Sequence, residues 1–136
     1  MLQFFLACAM HSQWKTSHDR ADLAESASSY WTYVRWGDAG KASLFLDSAA
    51  QRTQLATFCA DPPWRITDVV VVSAEVGEPF SKEEHPITRD GTVIVRMEHY
   101  DERIGRVEVS TLTQHWLKTS GHWQVDPTPW EEGPIW

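Results

Sequence analysis

The stretch that decides the fold is residues 92–117, which read TVIVRMEHYDERIGRVEVSTLTQHWL. Thr92–Tyr100 and Arg106–Leu117 alternate apolar or β-branched residues with polar ones, which is the pattern of strands with one buried face. The intervening Asp101–Gly105 is polar and contains glycine, so it predicts a turn that makes the two strands antiparallel. Such a hairpin needs further strands or a covering layer to bury its apolar face.

Two more strands are predicted beside this hairpin. Trp64–Val76 contains the run Val69–Val72, which indicates a strand covered on both faces. Thr119–Gly121 predicts a turn into a short last strand, His122–Asp126. Gly77–Gly91 is polar and contains prolines, so we interpret it as a long connection.

The chain before these strands has helical periodicity. Apolar residues recur at i, i+4, i+7, i+8 and i+11 on one stripe, which predicts a helix with one buried face. The stripe consists of Leu23, Ala27, Tyr30, Trp31 and Val34. Gly37 and Asp38 predict the end of this helix and the N-cap of a short second one. Ser48 and Gln51 have the spacing of a capping box for a third helix, which Asp61–Pro63 ends.

Helices followed by an antiparallel meander predict an α+β fold, with the helices packed on one face of a curved sheet. The chain has 136 residues and a mass of 15.6 kDa, which is enough for one domain. We place this domain at residues 20–126. Residues 1–19 are interpreted as a signal end and tether, and 127–136 as a tail rich in proline and tryptophan. That tail either docks on a partner or folds back on its own domain.

Composition excludes several functional classes. The net charge is −7 and no basic run is present, which argues against binding nucleic acid or an anionic membrane surface. The two cysteines are too few for a disulfide framework. No Cys or His spacing matches a metal site, so we expect neither metal nor cofactor.

The apolar start of the chain ends in Leu6-Ala7-Cys8, which resembles the lipobox of bacterial lipoproteins. The resemblance implies lipidation of Cys8 and a location in the periplasm or at the outer membrane. The polar residues from His11 to Arg20 would then form a tether. The alternative is a loosely packed N-terminal segment of a cytoplasmic protein.

The helical region carries a resemblance to a known family. Tyr30–Asp38 reads YWTYVRWGD and is followed by Ala42 and Phe45–Asp47. Near the end of the domain stand Trp116, Gly121 and Trp123. Over residues 20–126 this pattern resembles the nuclear transport factor 2-like superfamily, which includes SnoaL-like proteins and ketosteroid isomerase. The resemblance implies a cone in which helices and a bent sheet enclose a pocket. Members include enzymes and non-catalytic binders, so the fold does not choose the function.

Isomerase chemistry of this type needs a carboxylate base and hydrogen-bond donors in an apolar pocket. No set of residues here matches such a site. The candidates for catalysis are His115, with Tyr30 or Tyr33 from the first helix. We expect His99 and His115 on the core face of the sheet, with His115 nearer the pocket. The expected pocket and core residues are Trp31, Phe45, Val95, Met97 and Trp123.

The opposite face of the sheet carries apolar residues among arginines and glutamates. The expected contact residues on it are Ile94, Tyr100, Leu112 and Trp116. Aromatic side chains inside a charged rim are typical of a partner surface. We therefore expect a homodimer through this face, a small apolar ligand in the cone, and membrane contact only through a lipid anchor.

Two functions follow from these observations. The first is a non-catalytic, exported or lipid-anchored binding or scaffold domain. The alternative is a small-molecule isomerase or dehydratase of the ketosteroid isomerase type, using a pocket histidine and tyrosine. The interior of the cone discriminates between them, because an enzyme needs an open cavity with convergent polar groups, whereas a scaffold has its interior filled by aromatic rings.

Overall fold

The computed structural model describes residues 2–80 and 87–126, with side chains from residue 10 onward. Within these residues, three helices and a 3-10 turn precede four strands. Their bounds are α1 Leu2–Arg35, α2 Ala39–Ala42, the 3-10 turn Ser43–Phe45, α3 Ala49–Ala60, β1 Arg65–Val76, β2 Ile87–Asp101, β3 Arg106–Thr119 and β4 His122–Val125. The strands form one antiparallel sheet in the order β1-β2-β3-β4. The α+β prediction is therefore confirmed, with the sheet left open.

Helix α1 packs against the sheet through the predicted stripe, whose five members are all buried. The helix begins far earlier than predicted. The segment from His11 to Arg20, which we expected to be a tether, is helical, and Asp19 is buried. Helix α1 therefore continues across the predicted domain boundary at residue 20. Asp19 lies four residues before Leu23, so it continues the buried stripe, where cations from the sheet neutralise its charge.

The predicted helix ends are confirmed. Gly37 has a φ of 72°, which ends α1 in the left-handed conformation that glycine adopts without strain. The Asp38 carboxylate accepts a hydrogen bond from the Lys41 N–H at 3.1 Å and caps α2. Ser48 accepts from the Gln51 N–H at 3.4 Å and caps α3.

Strand β1 is an edge strand covered on one face. Val70 and Val72 are 46% and 58% exposed, so the predicted cover on both faces is wrong. The reason is that all the described helices lie on the same side as the buried core, which leaves the other side of the sheet to solvent. We call the covered side the inner face and the other the outer face. The connection after β1 is also shorter than predicted, because β2 begins at Ile87.

With His99 and His115 on one face, as we expected, His99 would pair with Val107 and His115 with Gly91. The observed register of β3 differs from this expectation by one residue. Tyr100 pairs with Val107, and Gly91 pairs with Trp116. Trp116 therefore lies on the inner face, together with Leu112, whereas His115 lies on the outer face. The physical reason is the even number of residues in the turn between β2 and β3. A slip of one residue exchanges the two faces of a strand.

Strand β4 closes onto β3 through a two-residue turn. Ser120 and Gly121 have φ values of 50° and 83°, which is the geometry of a tight hairpin. Val125 therefore pairs with Trp116. An isolated parallel bridge joins Val125 to Leu46, so the segment that follows the 3-10 turn reaches the last strand.

Candidate functional site

A groove of about 410 Å³ opens between α1, the 3-10 turn and the turn from β3 to β4. Carboxylates of α1 and a histidine of β4 line it, together with apolar and aromatic residues. The lining residues are Asp22, Glu25, Ser26, Ser29, Leu44, Phe45, Gly121, His122 and Trp123. We call this concavity the α1 groove. A concave site that mixes rings with a few polar groups has the character of a small-molecule site.

Aromatic rings fill the space between α1 and the sheet behind this groove. Tyr30 makes edge-to-face contacts with Trp31, at 5.3 Å between ring centroids, and with Trp116, at 5.8 Å. Phe45 lies 6.1 Å from both Tyr30 and Trp116. Trp31 is a core residue, as predicted, and Phe45 both joins this cluster and lines the groove. The interior behind the groove is therefore packed with aromatic rings.

A buried glutamine of β3 is hydrogen-bonded to two indole rings. The Gln114 side-chain oxygen accepts hydrogen bonds from Trp31 Nε1 at 3.1 Å and from Trp116 Nε1 at 2.9 Å. It thereby links α1 to the sheet across the core. Gln114 was not predicted as a core residue, because the expected register of β3 places it on the outer face.

The two tyrosines of α1 do not form a catalytic pair. Tyr30 is completely buried, and its hydroxyl has no hydrogen-bond partner within the part of the chain that the structure describes. Burial, and secondarily the Cys59 thiol, raises the pKa of Tyr30 far above its usual value, so the phenol stays neutral. Tyr33 is half-buried, stacks on Phe45 and carries the Lys41 ammonium 5.6 Å from its ring centre. Both rings serve packing.

The two strand histidines lie on opposite faces. His115 is exposed on the outer face and pairs with Thr92, so its prediction as a pocket residue is wrong. The sheet separates it from Tyr30, which packs on the inner face. His99 lies on the inner face near the strand end, with its ring 4.8 Å from that of Trp64 and its Nε2 3.2 Å from Ser110 Oγ. Neither histidine lines the α1 groove.

The predicted core residues of β2 and β4 are where they were expected. Val95, Met97 and Trp123 are all buried on the inner face, and Trp123 also lines the α1 groove. The four residues predicted to form a contact surface lie on different faces of the sheet. Ile94 and Tyr100 are half-buried on the outer face. Leu112 and Trp116 pack in the core, so their assignment to a partner surface is wrong.

A buried cluster of three charges joins α1 to the sheet. Arg89 Nη1 lies 2.7 Å from Asp19 Oδ2, and Lys118 Nζ lies 2.8 Å from Asp19 Oδ1. Arg89 also donates to the Gly77 carbonyl at 2.7 Å and to Thr16 Oγ1 at 3.0 Å. We call Asp19, Arg89 and Lys118 the charge triad. The sequence signal that could have found it is the position of Asp19, four residues before Leu23 on the apolar stripe.

The charge triad sets the ionisation of its carboxylate. Desolvation by burial is the largest influence and acts to raise the pKa of Asp19. Hydrogen bonds from Lys118 and Arg89, with the charges of both cations, outweigh it and lower the pKa below its ordinary value. Asp19 is therefore a carboxylate whose charge is satisfied inside the protein, and its role is to hold α1 on the sheet.

The predictions for Cys8 and for the C-terminal tail concern residues at the two ends of the chain. Cys8 lies on α1, but its side chain is outside the described part, as is the whole 127–136 tail. Within residues 2–80 and 87–126, no helix is both long and apolar enough to cross a membrane. Those residues also contain no group of three His, Cys, Asp or Glu side chains placed to hold a metal ion.

Comparison with known proteins adds no further assignment. No protein-family model matches the chain, and no curated protein matches it significantly.

Proposed function

We propose that this chain is a non-catalytic binding or scaffold domain with the cone architecture of the nuclear transport factor 2-like superfamily. The packed interior is the observation that carries this proposal. Tyr30, Trp31 and Trp116 fill the space between α1 and the sheet, where the resemblance implies a pocket. Chemistry by acid and base needs groups that converge on an accessible substrate, and the predicted donor Tyr30 is buried in the core.

The positions of the candidate residues do not support the isomerase alternative. His115 would have to act from the outer face, on the other side of the sheet from both tyrosines. On that face its neighbours are Thr113 and Leu117 along β3 and Thr92 on β2. A general base must reach its substrate proton within hydrogen-bond distance, and these residues share no concavity.

The α1 groove supports binding of a small apolar molecule. Leu44, Phe45 and Trp123 offer apolar surface. Asp22 and Glu25 place negative charge at the same site, which disfavours anionic ligands. The expected occupant is therefore a neutral or cationic molecule with an apolar body.

A dye titration with two matched variants tests this function. We expect the neutral dye Nile red to gain fluorescence on the protein, whereas the anionic dye anilinonaphthalene sulfonate does not. Ser29→Trp should abolish the gain, because Ser29 lines the groove. Ser28→Trp is the control, since Ser28 is exposed on the same helix and does not line the groove. Equal binding by both variants would exclude the α1 groove, and turnover of a ketosteroid would favour the isomerase alternative.

We also propose that Cys8 carries a lipid anchor. Cys8 precedes the buried Asp19 by eleven residues of continuous helix, which is about 16 Å at 1.5 Å per residue. Met10 and Trp14 are exposed along this stretch. An anchor on Cys8 would hold the domain close to the bilayer, with Trp14 at the height that indole rings favour in membrane interfaces. The helix replaces the flexible tether of the original expectation.

We further propose that the chain forms a homodimer through its outer face. Its contact residues are now Ile94 and Tyr100 with exposed valines of β1 and β3, namely Val70, Val72, Val107 and Val109. Charges of both signs surround them, such as Arg96 and Glu98, which allows a face to complement its own copy. Val72→Glu should shift the sedimentation coefficient to that of a monomer, whereas Ile104→Glu, in the turn after β2, should not. A monomeric parent protein would exclude this dimer.

A further inference from the structure

Two carboxylates in the wall of the α1 groove have no cationic partner. Asp22 and Glu25 lie one turn apart on α1, and both line the groove. Within residues 2–80 and 87–126, the ion pairs of α1 are formed by Asp19 and Arg20, so neither groove carboxylate is neutralised. Like charges this close on a helix repel each other. A cation bound in the groove would relieve that repulsion.

The other charges of the molecule act in the same direction. The net charge is −7, which favours the approach of cations over that of anions. Among the lining residues, His122 is the one that can carry a positive charge, and it is exposed on β4. The electrostatics of the groove therefore favour a cation over a neutral molecule.

Aromatic and apolar side chains lie beside these carboxylates. Phe45 and Trp123 line the groove together with the exposed Leu44. The face of an aromatic ring attracts a cation and also offers apolar surface. The volume of about 410 Å³ is within the range of small-molecule sites. The groove is therefore suited to an organic cation rather than to a hydrated metal ion.

The indole of Trp123 adds a hydrogen-bond donor on the groove side. Trp123 is 3% exposed, and its Nε1 has no hydrogen-bond partner among the described residues. Its Cζ3 is directed toward β2, because a Cβ on Gly91 would lie 3.2 Å from it. Nε1 is on the opposite edge of the indole and therefore faces away from β2. The groove opens on that side, because the sheet contributes to it only β4 and the turn before β4.

An unpaired donor behind the wall of a groove indicates an acceptor on the occupant. Buried N–H groups without a partner cost free energy and are rare in folded proteins. Trp123 Nε1 is covered in this structure, and a small rotation of the indole brings it to the groove. Side-chain rotations of this kind are common on binding. A ligand that accepts a hydrogen bond from Nε1 would recover the free energy that the unpaired donor costs.

We propose that the α1 groove binds an organic ammonium ion whose apolar body carries a hydrogen-bond acceptor. The ammonium group lies between Asp22 and Glu25. The body packs on Leu44 and Phe45, and the acceptor pairs with Trp123 Nε1. This inference rests on the proposed role of the α1 groove as a binding site, and it narrows the occupant to one chemical class.

Three probes of nearly equal shape test this class. The first, para-methoxyphenethylamine, has both an ammonium group and an ether oxygen. The second, para-methoxyphenylethanol, has a neutral hydroxyl in place of the ammonium group, and the third, para-ethylphenethylamine, has a methylene in place of the ether oxygen. Chemical-shift titrations of the full chain give their affinities, at pH 8 so that free imidazole groups are neutral. We expect the first probe to bind about fivefold more tightly than the alcohol, because it forms two exposed ion pairs.

Matched double variants locate the origin of this preference. Asp22→Asn with Glu25→Gln should abolish the fivefold preference and leave the affinity for the alcohol unchanged. Glu78→Gln with Glu102→Gln is the control, because it removes the same charge from exposed residues that do not line the groove. The control should keep the preference. An equal loss in both double variants would assign the preference to the overall charge and overturn the site.

The indole N–H signal of Trp123, assigned by triple-resonance NMR, tests the acceptor. The methoxy amine should move this signal downfield, whereas the ethyl amine should bind without that shift. The same signal position with both amines would contradict the hydrogen bond. Equal affinities for the first amine and the alcohol would overturn the ammonium class while the groove remained a binding site. If neither Nile red nor any probe binds, the proposed function itself fails.

Discussion

Arg89 Nη1 lies 2.7 Å from Asp19 Oδ2, and both side chains are almost completely excluded from solvent. This pair connects α1 to β2, and Lys118 adds β3 to the same carboxylate. One acidic side chain of the helix therefore positions two strands. Because the carboxylate is shared by two cations, its removal has a larger effect than that of a surface ion pair.

Removing the charge of Asp19 should strongly destabilise the fold. Asp19→Asn leaves Arg89 and Lys118 buried or half-buried without their anion, and we expect a loss of about 3–5 kcal/mol in the free energy of unfolding. Urea denaturation measures it. Glu25→Gln, on an exposed part of α1, is the control and should change stability by less than about 0.5 kcal/mol. A loss for Asp19→Asn as small as the control's would show that the triad is not structural.

The pH dependence of stability should identify the same carboxylate. The pKa of Asp19 is lower in the folded protein than its ordinary value of 3.8, so the unfolded chain binds the proton more readily. The stabilisation is therefore fully present above the unfolded pKa and is lost as the pH falls through the folded pKa. The stability difference between the parent and Asp19→Asn should be constant above about pH 5 and shrink below about pH 4.

The stability difference between the parent and Asp19→Asn reports the ionisation of Asp19 and not that of the other acidic residues. Asp101 also has a lowered pKa, because the Arg103 side chain hydrogen-bonds to it, but it is present in both proteins and cancels. Urea midpoints measured at half-unit steps of pH would show the trend. A difference that grows as the pH falls would contradict the assignment.

Gly91 should tolerate no side chain, because α1 approaches β2 closely there. A Cβ at this position would lie 2.5 Å from Leu23 Cδ2 and 3.2 Å from the Glu75 carbonyl oxygen. We expect Gly91→Ala to cost about 1–3 kcal/mol through overpacking. Gly40→Ala is the control, since its Cβ would meet its nearest atom, Asp38 Oδ1, at 3.7 Å. Thermal unfolding compares the two, and equal melting temperatures would contradict the close contact.

Trp31 should contribute far more to stability than Trp36, an exposed tryptophan directly after the end of α1. Trp31→Ala removes a buried ring and one of the two indoles bound to Gln114, and we expect a loss of about 3–5 kcal/mol. Trp36→Ala is the matched control, because Trp36 is 72% exposed. Denaturant titrations give both values. A Trp31 variant that unfolds at nearly the parent midpoint would contradict the aromatic core.

Cys8 should determine membrane attachment. With expression from the natural gene in a host that processes lipoproteins, we expect the protein in the detergent phase and Cys8→Ser in the aqueous phase, because a multiply acylated N-terminus binds stably. Cys59→Ser is the control, since Cys59 lies half-buried on α3 within the domain. Partitioning that does not change with Cys8 would exclude the anchor.

Local patterns in the sequence predicted most of the secondary structure. The stripe from Leu23 to Val34, the caps at Asp38 and Ser48 and the alternation along β2 all depend on residues within a few positions of one another. Helix periodicity, capping and strand alternation are short-range properties, so a single sequence contains their signals.

The face of β3 could not be predicted in the same way. Its alternation is ambiguous, because Val107 and Val109 precede the aromatic Trp116 with opposite parity. The choice between the two faces depended on the register across the turn after β2, and an error of one residue moved His115 into the core and Trp116 out of it. The same error hid Gln114, whose role requires two indoles on the inner face.

By itself, the sequence determined that this chain is an α+β domain with an aromatic first helix and an antiparallel meander, because those features follow from local periodicity and caps. Only the tertiary structure decided which residues meet. Asp19 and Lys118 are 99 positions apart, and their contact depends on how α1 lies across the sheet. The α1 groove likewise joins residues of a helix, a turn and a distant hairpin. Contacts between distant segments depend on register and packing, which no local pattern of residues specifies.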